Sequence, residues 1–273
     1  MSTKAAQFSA TVLRKEQLSS HFVRLVLGGP GLEGFESTGV PDEWVALTVP
    51  GQFQTRYYTV RSWTQGRSET GGELVLDVVV HEHGLVTEWA SLDCVGDVVS
   101  VSEPKSSFNM PASAQWLFLV GDVTALPAIA RIIESDPGVP VTAWCEVPDG
   151  ELPTYITGSA SVHWLVPPDG VESATAAVVE RIEWPEGEGY FWMAGESAQM
   201  RSIRKHLMRE VKLPSTAYHV MGYWRGGGQR RQPRAIDPGP IWQAGKAAGK
   251  SDEQIWSDYD AAQSQQLGEA SDV

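Results

Sequence analysis

The pattern of apolar residues changes near residue 108, and this change constrains the fold more than any other feature. Before it, short β-rich runs are separated by Gly, Pro, Ser and Asp, and many alternate apolar with polar positions, as Phe22 to Leu27 do. Six such strands with one short helix predict a small closed antiparallel barrel. The predicted strands are 8–13, 22–27, 44–49, 57–63, 73–81 and 97–103, and the helix is 86–91.

After Phe108, continuous apolar runs alternate with helical segments. The run from Trp116 to Val120 has the composition of a strand that is covered on both faces. Strands that alternate with helices predict a parallel sheet wound on both sides, of the kind that binds nucleotides. The predicted strands are 116–120, 141–147, 162–166, 190–194 and 218–224, and the helices are 125–134, 172–182 and 196–210.

The chain loosens from Gly226 onward. Three consecutive glycines and the prolines at 233, 238 and 240 predict a flexible or extended connector, followed by a helix over 251–265. We therefore predict a β-barrel domain at 1–110, an α/β domain at 111–225, and a basic linker with a C-terminal helix at 226–273. In this order, a cofactor on the barrel faces the carboxyl ends of the parallel strands, where such sheets bind ligands.

Charge and composition limit the class of partner and the location. The net charge of −13 argues against duplex nucleic acid or an anionic membrane as the main partner. No apolar run has the length of a signal peptide or a membrane span, so we expect a cytoplasmic protein. The two cysteines form no CxxC pair and indicate no zinc site. We expect a monomer.

The most informative local segment is RYYTVR at residues 56–61. Strand alternation places Arg56, Tyr58 and Val60 on one face. A flavin needs an aromatic platform and hydrogen bonds at its ring edge, and its phosphates need a cation, which arginine supplies with two parallel hydrogen bonds. An ordinary barrel strand with an exposed arginine has the same composition, so spacing alone favours that simpler interpretation.

The segment resembles the flavin signature of the ferredoxin-reductase superfamily, and five further segments resemble those of siderophore-interacting proteins. They are Asp77 to His81 with Gly84, Trp89 and Ala90; Ser107-Phe108; Gly121 to Ile129; Ala194 to Glu196; and Gly222 to Arg225. They follow the family's order between about residues 8 and 225. The family comprises cytoplasmic FAD-containing ferric-siderophore reductases, so the resemblance implies FAD as cofactor, NADH or NADPH as electron donor and a ferric siderophore as substrate.

The resemblance also implies which residues form the site. The implied FAD-binding residues are Arg56, Tyr57, Tyr58, Thr59, Val60, Arg61, Asp77, Val79, His81, Gly84, Thr87, Trp89 and Ala90. The implied donor-binding residues are Gly121, Asp122, Thr124, Ala125, Gly195, Glu196, Tyr223 and Trp224. Asp122, Thr124 and Glu196 are also ordinary helix-capping residues, and no G-x-G-x-x-G is present.

The identity of the donor stays open in the sequence. Glu146, at the end of the second parallel strand, is placed to accept a ribose hydroxyl, which favours NADH. Arg201, Arg204 and Lys205 are able to meet a 2′-phosphate, which favours NADPH, although a solvated helix face accounts for all three equally well. Reduced ferredoxin is a further possible donor.

A local basic cluster is the candidate substrate site. Arg225, Arg230, Arg231 and Arg234 place four positive charges within ten residues, without an acid among them. Ferric siderophores with catecholate or carboxylate groups are anionic, so this cluster is able to attract them. A solvated basic linker is the competing interpretation. His81 and His83 share a strand face but have no evident third ligand, so we predict no metal site and expect His81 to lie near the flavin.

The predicted reaction transfers a hydride from NAD(P)H to FAD and then single electrons to iron(III). It requires no acid or base side chain, so we predict no catalytic residue. The alternatives are another flavin or electron-transfer reductase of the superfamily and a non-catalytic siderophore-binding protein.

Overall fold

Six antiparallel strands form a closed barrel in the computed structural model, as the alternating pattern predicts. Their order around the barrel is β1-β2-β5-β4-β3-β6. Inward-facing residues such as Leu25, Leu47 and Leu76 are fully buried and form its core. The strands are β1 (Gln7–Gln17), β2 (Phe22–Gly28), β3 (Trp44–Thr48), β4 (Arg56–Thr64), β5 (Glu73–Val79) and β6 (Val98–Ser102), and helix α1 (Leu85–Ser91) lies between β5 and β6.

The structure describes residues 6–52, 54–66, 71–80, 84–148, 150, 152–168, 173–225, 238–250 and 254. The chain divides into two units, Met1–Arg225 and Gly226–Val273. The barrel and the second sheet both lie in the first unit, and the boundary near residue 110 between them stays a prediction. None of the described helices is long and apolar enough to cross a bilayer.

Five parallel strands form the second sheet, in the order β11-β10-β7-β8-β9. Strand β7 is buried along its whole length because both its faces are covered: Leu117 and Leu119 pack with the helix that follows it, and Phe118 and Val120 pack on the other face. The predicted doubly wound sheet is therefore confirmed. The elements are β7 (Leu117–Asp122), α2 (Leu126–Glu134), β8 (Val141–Glu146), β9 (Ser161–Leu165), α3 (Thr175–Val179), β10 (Tyr190–Glu196), α4 (Ser197–His206) and β11 (Tyr218–Trp224).

Two helices differ from the prediction. Helix α3 is shorter than the predicted helix over 172–182, because Ile182 and Trp184 turn back into the core after it ends. The predicted helix 196–210 ends as an α-helix at His206 and continues as a π-helical turn, Leu207–Val211, which Lys212 closes in a left-handed conformation with φ 61°.

The second unit contains a helix where the sequence predicts an extended connector. Helix α5 spans Pro238–Ala247. The prediction is wrong here because Pro238 and Pro240 occupy the first helical turn, where a missing backbone N–H costs no hydrogen bond. The predicted helix at 251–265 lies outside the described residues, apart from Gln254.

Helix α2 joins the second sheet to the barrel. The Arg131 guanidinium donates to the Val60 carbonyl of β4 at 2.6 Å and to the Glu43 carboxylate at 3.2 Å. Glu43 is fully buried, and the Ser37 and Thr38 hydroxyl groups also donate to it. Helix α2 begins after the carboxyl end of β7 in the second sheet, and its Arg131 thus holds strand β4 of the barrel in place.

Candidate functional site

Strand β4 presents two different faces. Arg56, Tyr58 and Val60 lie on one face as predicted, since they pair with Leu47, Val45 and Leu76 of the barrel core. Tyr58 and Val60 on that face pack in the barrel core, whereas Arg56, at the start of β4, is only partly buried. The outward face carries Tyr57 and Thr59, and Tyr57 leaves 67% of its surface exposed while Thr59 is buried.

The Tyr58 phenol is part of the barrel interior. Burial raises its pKa, and the nearby Arg56 charge acts in the opposite direction. Arg56 donates to the Gln54 side chain and to the Thr55 carbonyl, each at 3.0 Å. No carboxylate among the described residues pairs with Arg56. The guanidinium thus has N–H donors left for an anion at the start of β4.

Thr59 and Tyr223 meet where the barrel faces the carboxyl edge of the parallel sheet. Thr59 is close enough to influence the pKa of the Tyr223 phenol, which burial raises. The Tyr223 hydroxyl is buried, yet it makes no hydrogen bond of standard geometry to any described residue. Thr59 is a hydrogen-bond partner of imperfect geometry, so the Tyr223 hydroxyl keeps hydrogen-bonding capacity for a polar ligand.

These features fit a flavin. The outward face of β4 offers an exposed aromatic ring at Tyr57, and Thr59 and Tyr223 of β11 add two hydroxyl groups. Arg56 adds a cation at the start of β4 that pairs with no described carboxylate. They correspond to the stacking surface, the phosphate partner and the ring-edge hydrogen bonds that such a cofactor requires. The direct contacts of these residues with FAD stay predictions.

Asp77 and Arg61 are occupied by contacts between the barrel and the second sheet. Arg24 donates two hydrogen bonds to Asp77 at 2.7 and 2.8 Å, and the Tyr155 hydroxyl donates a third at 2.6 Å. Arg61 forms a two-point ion pair with Glu134 of α2 at 2.6 and 2.7 Å. The predicted contacts of Asp77 and Arg61 with the flavin would therefore involve side chains that already link the barrel to the second sheet.

The segment from Gly84 to Ala90, which the resemblance assigns to FAD binding, has mostly structural contacts. The Thr87 hydroxyl donates to the carbonyl of Val79 at 3.1 Å, and the Trp89 indole donates to Asp97 at 2.7 Å. Ala90 is fully buried, and Gly84 caps α1 without a side chain. His81 and His83 lie outside the described residues. The role of this segment in FAD binding stays a prediction.

Three neighbouring parallel strands end in buried carboxylates. Asp122 ends β7, Glu146 ends β8 and Glu196 ends β10. Burial raises the pKa of Asp122, and burial together with the nearby Asp122 charge raises the pKa of Glu146, against the hydrogen bonds that each carboxylate accepts. The sheet therefore presents an acidic carboxyl edge beneath the Thr59–Tyr223 contact.

Gly121 has a packing role at this edge. A Cβ at Gly121 would lie 2.5 Å from the Ala125 Cβ and 3.1 Å from the Ala194 carbonyl oxygen. The missing side chain thus lets α2 approach β7 closely, which accounts for both Gly121 and Ala125 without a ligand. Contact of these two residues with the donor stays a prediction.

Asp122 connects the turns that follow three strands. It accepts hydrogen bonds from the Thr124 backbone N–H at 2.9 Å, the Thr124 hydroxyl at 2.6 Å and the Trp224 indole at 2.6 Å. Gly195 has a positive φ of 152°, and a Cβ there would lie 2.5 Å from the Asp122 carboxylate. Glu196 caps α4 by accepting from the Ala198 and Gln199 backbone N–H groups.

Glu146 is buried and accepts hydrogen bonds from two of its neighbours. It accepts from the Ser173 hydroxyl at 2.9 Å and from the Ala174 backbone N–H at 2.8 and 3.0 Å. Gln199 completes this network by donating to the Ser173 carbonyl and accepting from the Ala176 N–H. Because Glu146 is only 3% exposed, a ribose hydroxyl has little access to its remaining acceptor sites.

The basic candidates are only partly described. Arg201 and Lys205 are exposed on α4, whereas Arg204 donates to the Val220 carbonyl. Arg225 is exposed at the end of the first unit. Arg230, Arg231 and Arg234 lie outside the described residues.

Several residues that shape the site were not predicted. Arg131 is the one charge in the first eight residues of an otherwise apolar helix, a pattern that indicates a paired buried cation. Tyr155 lies in the loop after β8, and nothing in its sequence neighbourhood indicates that it reaches Asp77. Ser173 and Gln199 likewise contact Glu146 and one another only through the fold.

A closed six-stranded barrel followed by a five-stranded parallel sheet is a ferredoxin-reductase-like fold, the fold of a class of flavin oxidoreductases. Two family models match consecutive parts of the chain: the siderophore-interacting FAD-binding domain over residues 51–108, and the siderophore-interacting protein over residues 114–227. The chain belongs to the siderophore-interacting protein family. It is a siderophore-related flavin oxidoreductase with FAD as its cofactor.

Individual relatives agree with this assignment. The chain is 26% identical over 235 residues to the NADPH-dependent ferric-chelate reductase of Escherichia coli, covering 78% of this chain and 91% of that protein. It is 28% identical over 243 residues to the ferric vibriobactin reductase ViuB of Vibrio cholerae, covering 79% and 88%. A siderophore utilization protein from T. fusca has a similar structure, with a TM-score of 0.69, 26% identity, and coverage of 83% of this chain and 95% of that one.

Proposed function

We propose that this protein is an FAD-dependent ferric-siderophore reductase that uses NAD(P)H, or reduced ferredoxin, to reduce iron(III) and release iron(II) in the cytoplasm. Both family models and the ferric-chelate and ferric-vibriobactin reductases among its relatives support this proposal. The observation that carries the proposal is that Thr59, on the outward face of β4, lies beside the buried Tyr223 hydroxyl at the carboxyl edge of the sheet.

The chain's own residues bind and orient the reactants. Arg56 pairs with a cofactor phosphate, Tyr57 offers its ring as a stacking surface, and the Thr59 and Tyr223 hydroxyl groups hydrogen-bond the ring edge. A flavin held by these residues would supply the conversion between two-electron transfer from the donor and one-electron transfer to iron(III). The reaction moves no proton on the siderophore, so the site needs no general acid or base. Iron(II) carries less charge, binds the siderophore oxygens more weakly and is released.

The hydrogen bonds that Glu146 already accepts favour NADPH over NADH as the electron donor. An acid at the end of the second strand favours NADH only if its carboxylate is free for the ribose, and here Ser173 and Ala174 occupy it. Arg201 and Lys205 are exposed and have the charge to meet a 2′-phosphate. We expect a lower KM for NADPH than for NADH, and the double substitution Arg201→Ala with Lys205→Ala is expected to reduce that preference.

The substrate is proposed to be an anionic ferric siderophore. Arg225 begins a run of four arginines within ten residues of a chain whose net charge is −13. Such a run creates a local positive field that increases the encounter rate with anions, and salt screens it. The rate with a negatively charged ferric siderophore is therefore expected to fall with ionic strength more than the rate with a neutral one.

A ferrous-trap assay tests the proposal. FAD-loaded protein is mixed with several ferric siderophores and with NADPH, NADH or reduced ferredoxin, and iron(II) is captured by a chelating dye. Continuous donor-dependent formation of iron(II) supports the reductase. If the donor reduces the flavin but iron stays oxidised, the protein is a different flavin reductase; if FAD does not bind, it is a siderophore-binding protein.

Two arginine variants test the FAD contact within the same experiment. Arg56→Met removes the unpaired cation of β4, and we expect FAD affinity to fall by about tenfold to a hundredfold, since hydrogen bonds to charged groups contribute about 1.5–3 kcal/mol. Arg14→Met is the matched control, because Arg14 is an exposed barrel arginine paired with Glu73 at 3.0 Å. Equal FAD affinity in the two variants would contradict the assigned role of Arg56.

A further inference from the structure

Trp224 is held at two points by the turns of the carboxyl edge. Its indole N–H donates to Asp122 at 2.6 Å, and its backbone carbonyl accepts from the Ser197 hydroxyl at 2.6 Å. Asp122 belongs to the turn after β7, and Ser197 belongs to the turn after β10. The residue that ends β11 is therefore fixed by both neighbouring turns, through its side chain and through its main chain.

The surrounding glycines keep room for these two contacts. A Cβ at Gly195 would lie 2.5 Å from the Asp122 carboxylate, and a Cβ at Gly222 would lie 2.3 Å from the Ser197 hydroxyl. Real side chains do not approach so closely, so either substitution would displace an anchor of Trp224. The β10–β11 register also shifts here, so that Glu196 pairs with Trp224. The local backbone is thus shaped around the position of this one residue.

The turn before α2 alone does not explain the choice of an aspartate at position 122. A turn that binds Thr124 requires only one acceptor, which a serine or asparagine supplies. Asp122 is 4% exposed, and no cation among the described residues pairs with it. A buried carboxylate costs free energy unless donors compensate it, and the Trp224 indole and the Glu196 backbone donate to Asp122 from outside its own turn.

Trp224 directly follows Tyr223, the residue that lies beside Thr59 of strand β4. Tyr223 faces Thr59, and its ring lies 6.4 Å from that of Trp192 in the core. Fixing Trp224 therefore fixes where the chain places Tyr223. Both residues lie at the carboxyl ends of the parallel strands, where such sheets bind ligands.

We propose that Asp122 is a positioning residue that acts through Trp224: it fixes the indole so that the nicotinamide of the donor stacks in register with the flavin. This inference rests on the proposed function, because it assumes that a nicotinamide donor binds at this edge. Asp122 itself is not proposed to touch the donor. Its contribution is the orientation of Trp224 and, through the chain, of Tyr223.

A double-mutant cycle with Asp122→Asn, Trp224→Phe and the combined variant tests the proposal. Asn keeps the shape of Asp122 but loses its charge, and Phe keeps an aromatic ring but loses the indole N–H. The first readout is the equilibrium affinity of the FAD-loaded protein for NADPH and NADH. The second is the charge-transfer absorbance that a nicotinamide gives when it stacks on a flavin, which a purely structural role would not change selectively.

We expect each single variant to bind the preferred donor about tenfold more weakly and to lose the charge-transfer absorbance, and the combined variant to be no worse than either one. Asp97→Asn is the matched control, since it breaks a similar indole–carboxylate bond, Trp89 to Asp97 at 2.7 Å, on the barrel. That variant is expected to keep the donor affinity of the wild type. Melting temperatures of all variants reveal any loss that arises from unfolding.

A Trp224→Phe variant with unchanged donor affinity would overturn the proposal. So would a combined variant that is about a hundredfold weaker, the product of two independent effects. A wild-type protein that binds neither dinucleotide would overturn it as well. If the wild type binds its donor with a charge-transfer band but reduces no ferric siderophore, the proposed function fails. The cycle then still decides the role of Asp122.

Discussion

The Tyr155 hydroxyl forms one of the contacts between the second sheet and the barrel. The substitution Tyr155→Phe isolates the contribution of that hydroxyl to stability. The hydroxyl donates to buried Asp77 at 2.6 Å, while the ring stacks on Phe22 with centroids 4.9 Å apart and planes 7° apart. Burial and the Asp77 charge raise the pKa of Tyr155 well above its ordinary value, so the phenol remains a donor throughout the neutral range. Phenylalanine keeps the stacked ring and removes only the donor.

The expected cost follows from what remains around Asp77. A hydrogen bond to a charged acceptor contributes about 1.5–3 kcal/mol, and the loss of such a bond costs most when the acceptor is left without a partner. Asp77 keeps both hydrogen bonds from Arg24, so we expect a loss of about 2 kcal/mol. For a domain of this size that corresponds to a fall in Tm of about 4–8 °C.

Urea denaturation and a thermal melt measure this loss. Tyr57→Phe is the matched control, because the Tyr57 side chain is largely exposed and surface substitutions usually change stability by less than about 0.5 kcal/mol. If Tyr155→Phe is as stable as this control, the hydroxyl does not hold the sheet against the barrel. The account of Asp77 as a structural residue would then be wrong.

Three further predictions concern the same unit. Gly121→Ala places a Cβ 2.5 Å from that of Ala125, and urea denaturation should show a loss of about 1–3 kcal/mol. Arg131→Met leaves buried Glu43 without its cation, and the same measurement should show a loss of about 3–5 kcal/mol. Burial lowers the pKa of His219 below its ordinary 6.5, so the unfolded chain binds more protons than the folded one below pH 6.5. The free energy of unfolding should therefore fall as the pH drops from about 6.5 through the lowered pKa. His219→Gln should remove this pH dependence.

The order and type of most elements could be predicted because each has a local signal. The fully buried run of β7 and the alternation in β4 are read directly from apolar spacing. Which face of β4 points inward is decided by its partners β3 and β5, so alternation groups Arg56 with Tyr58 without showing that the face is internal. Helix α5 was missed because its two prolines fall in the first turn, where they are tolerated.

Site residues could be predicted from the sequence where they lie together in one motif. They could not be predicted where the fold brings them together from distant segments. Asp77 stands in a motif, but its partners Arg24 and Tyr155 come from β2 and from a loop of the second sheet. Glu146 has the position of a ribose acceptor, and only the fold brings Ser173 to occupy it. The spacing of residues along a chain does not show which buried polar groups will form hydrogen bonds with one another.

An anaerobic reoxidation measurement tests the central claim most directly. The FAD-loaded protein is reduced without a nicotinamide donor, a ferric siderophore is added in the absence of oxygen, and the flavin spectrum and trapped iron(II) are recorded together. The proposed function predicts complete flavin reoxidation with about two iron(II) formed per flavin, since FAD delivers two electrons and each iron accepts one. A flavin that stays reduced until oxygen is admitted, with no iron(II) formed, would contradict it.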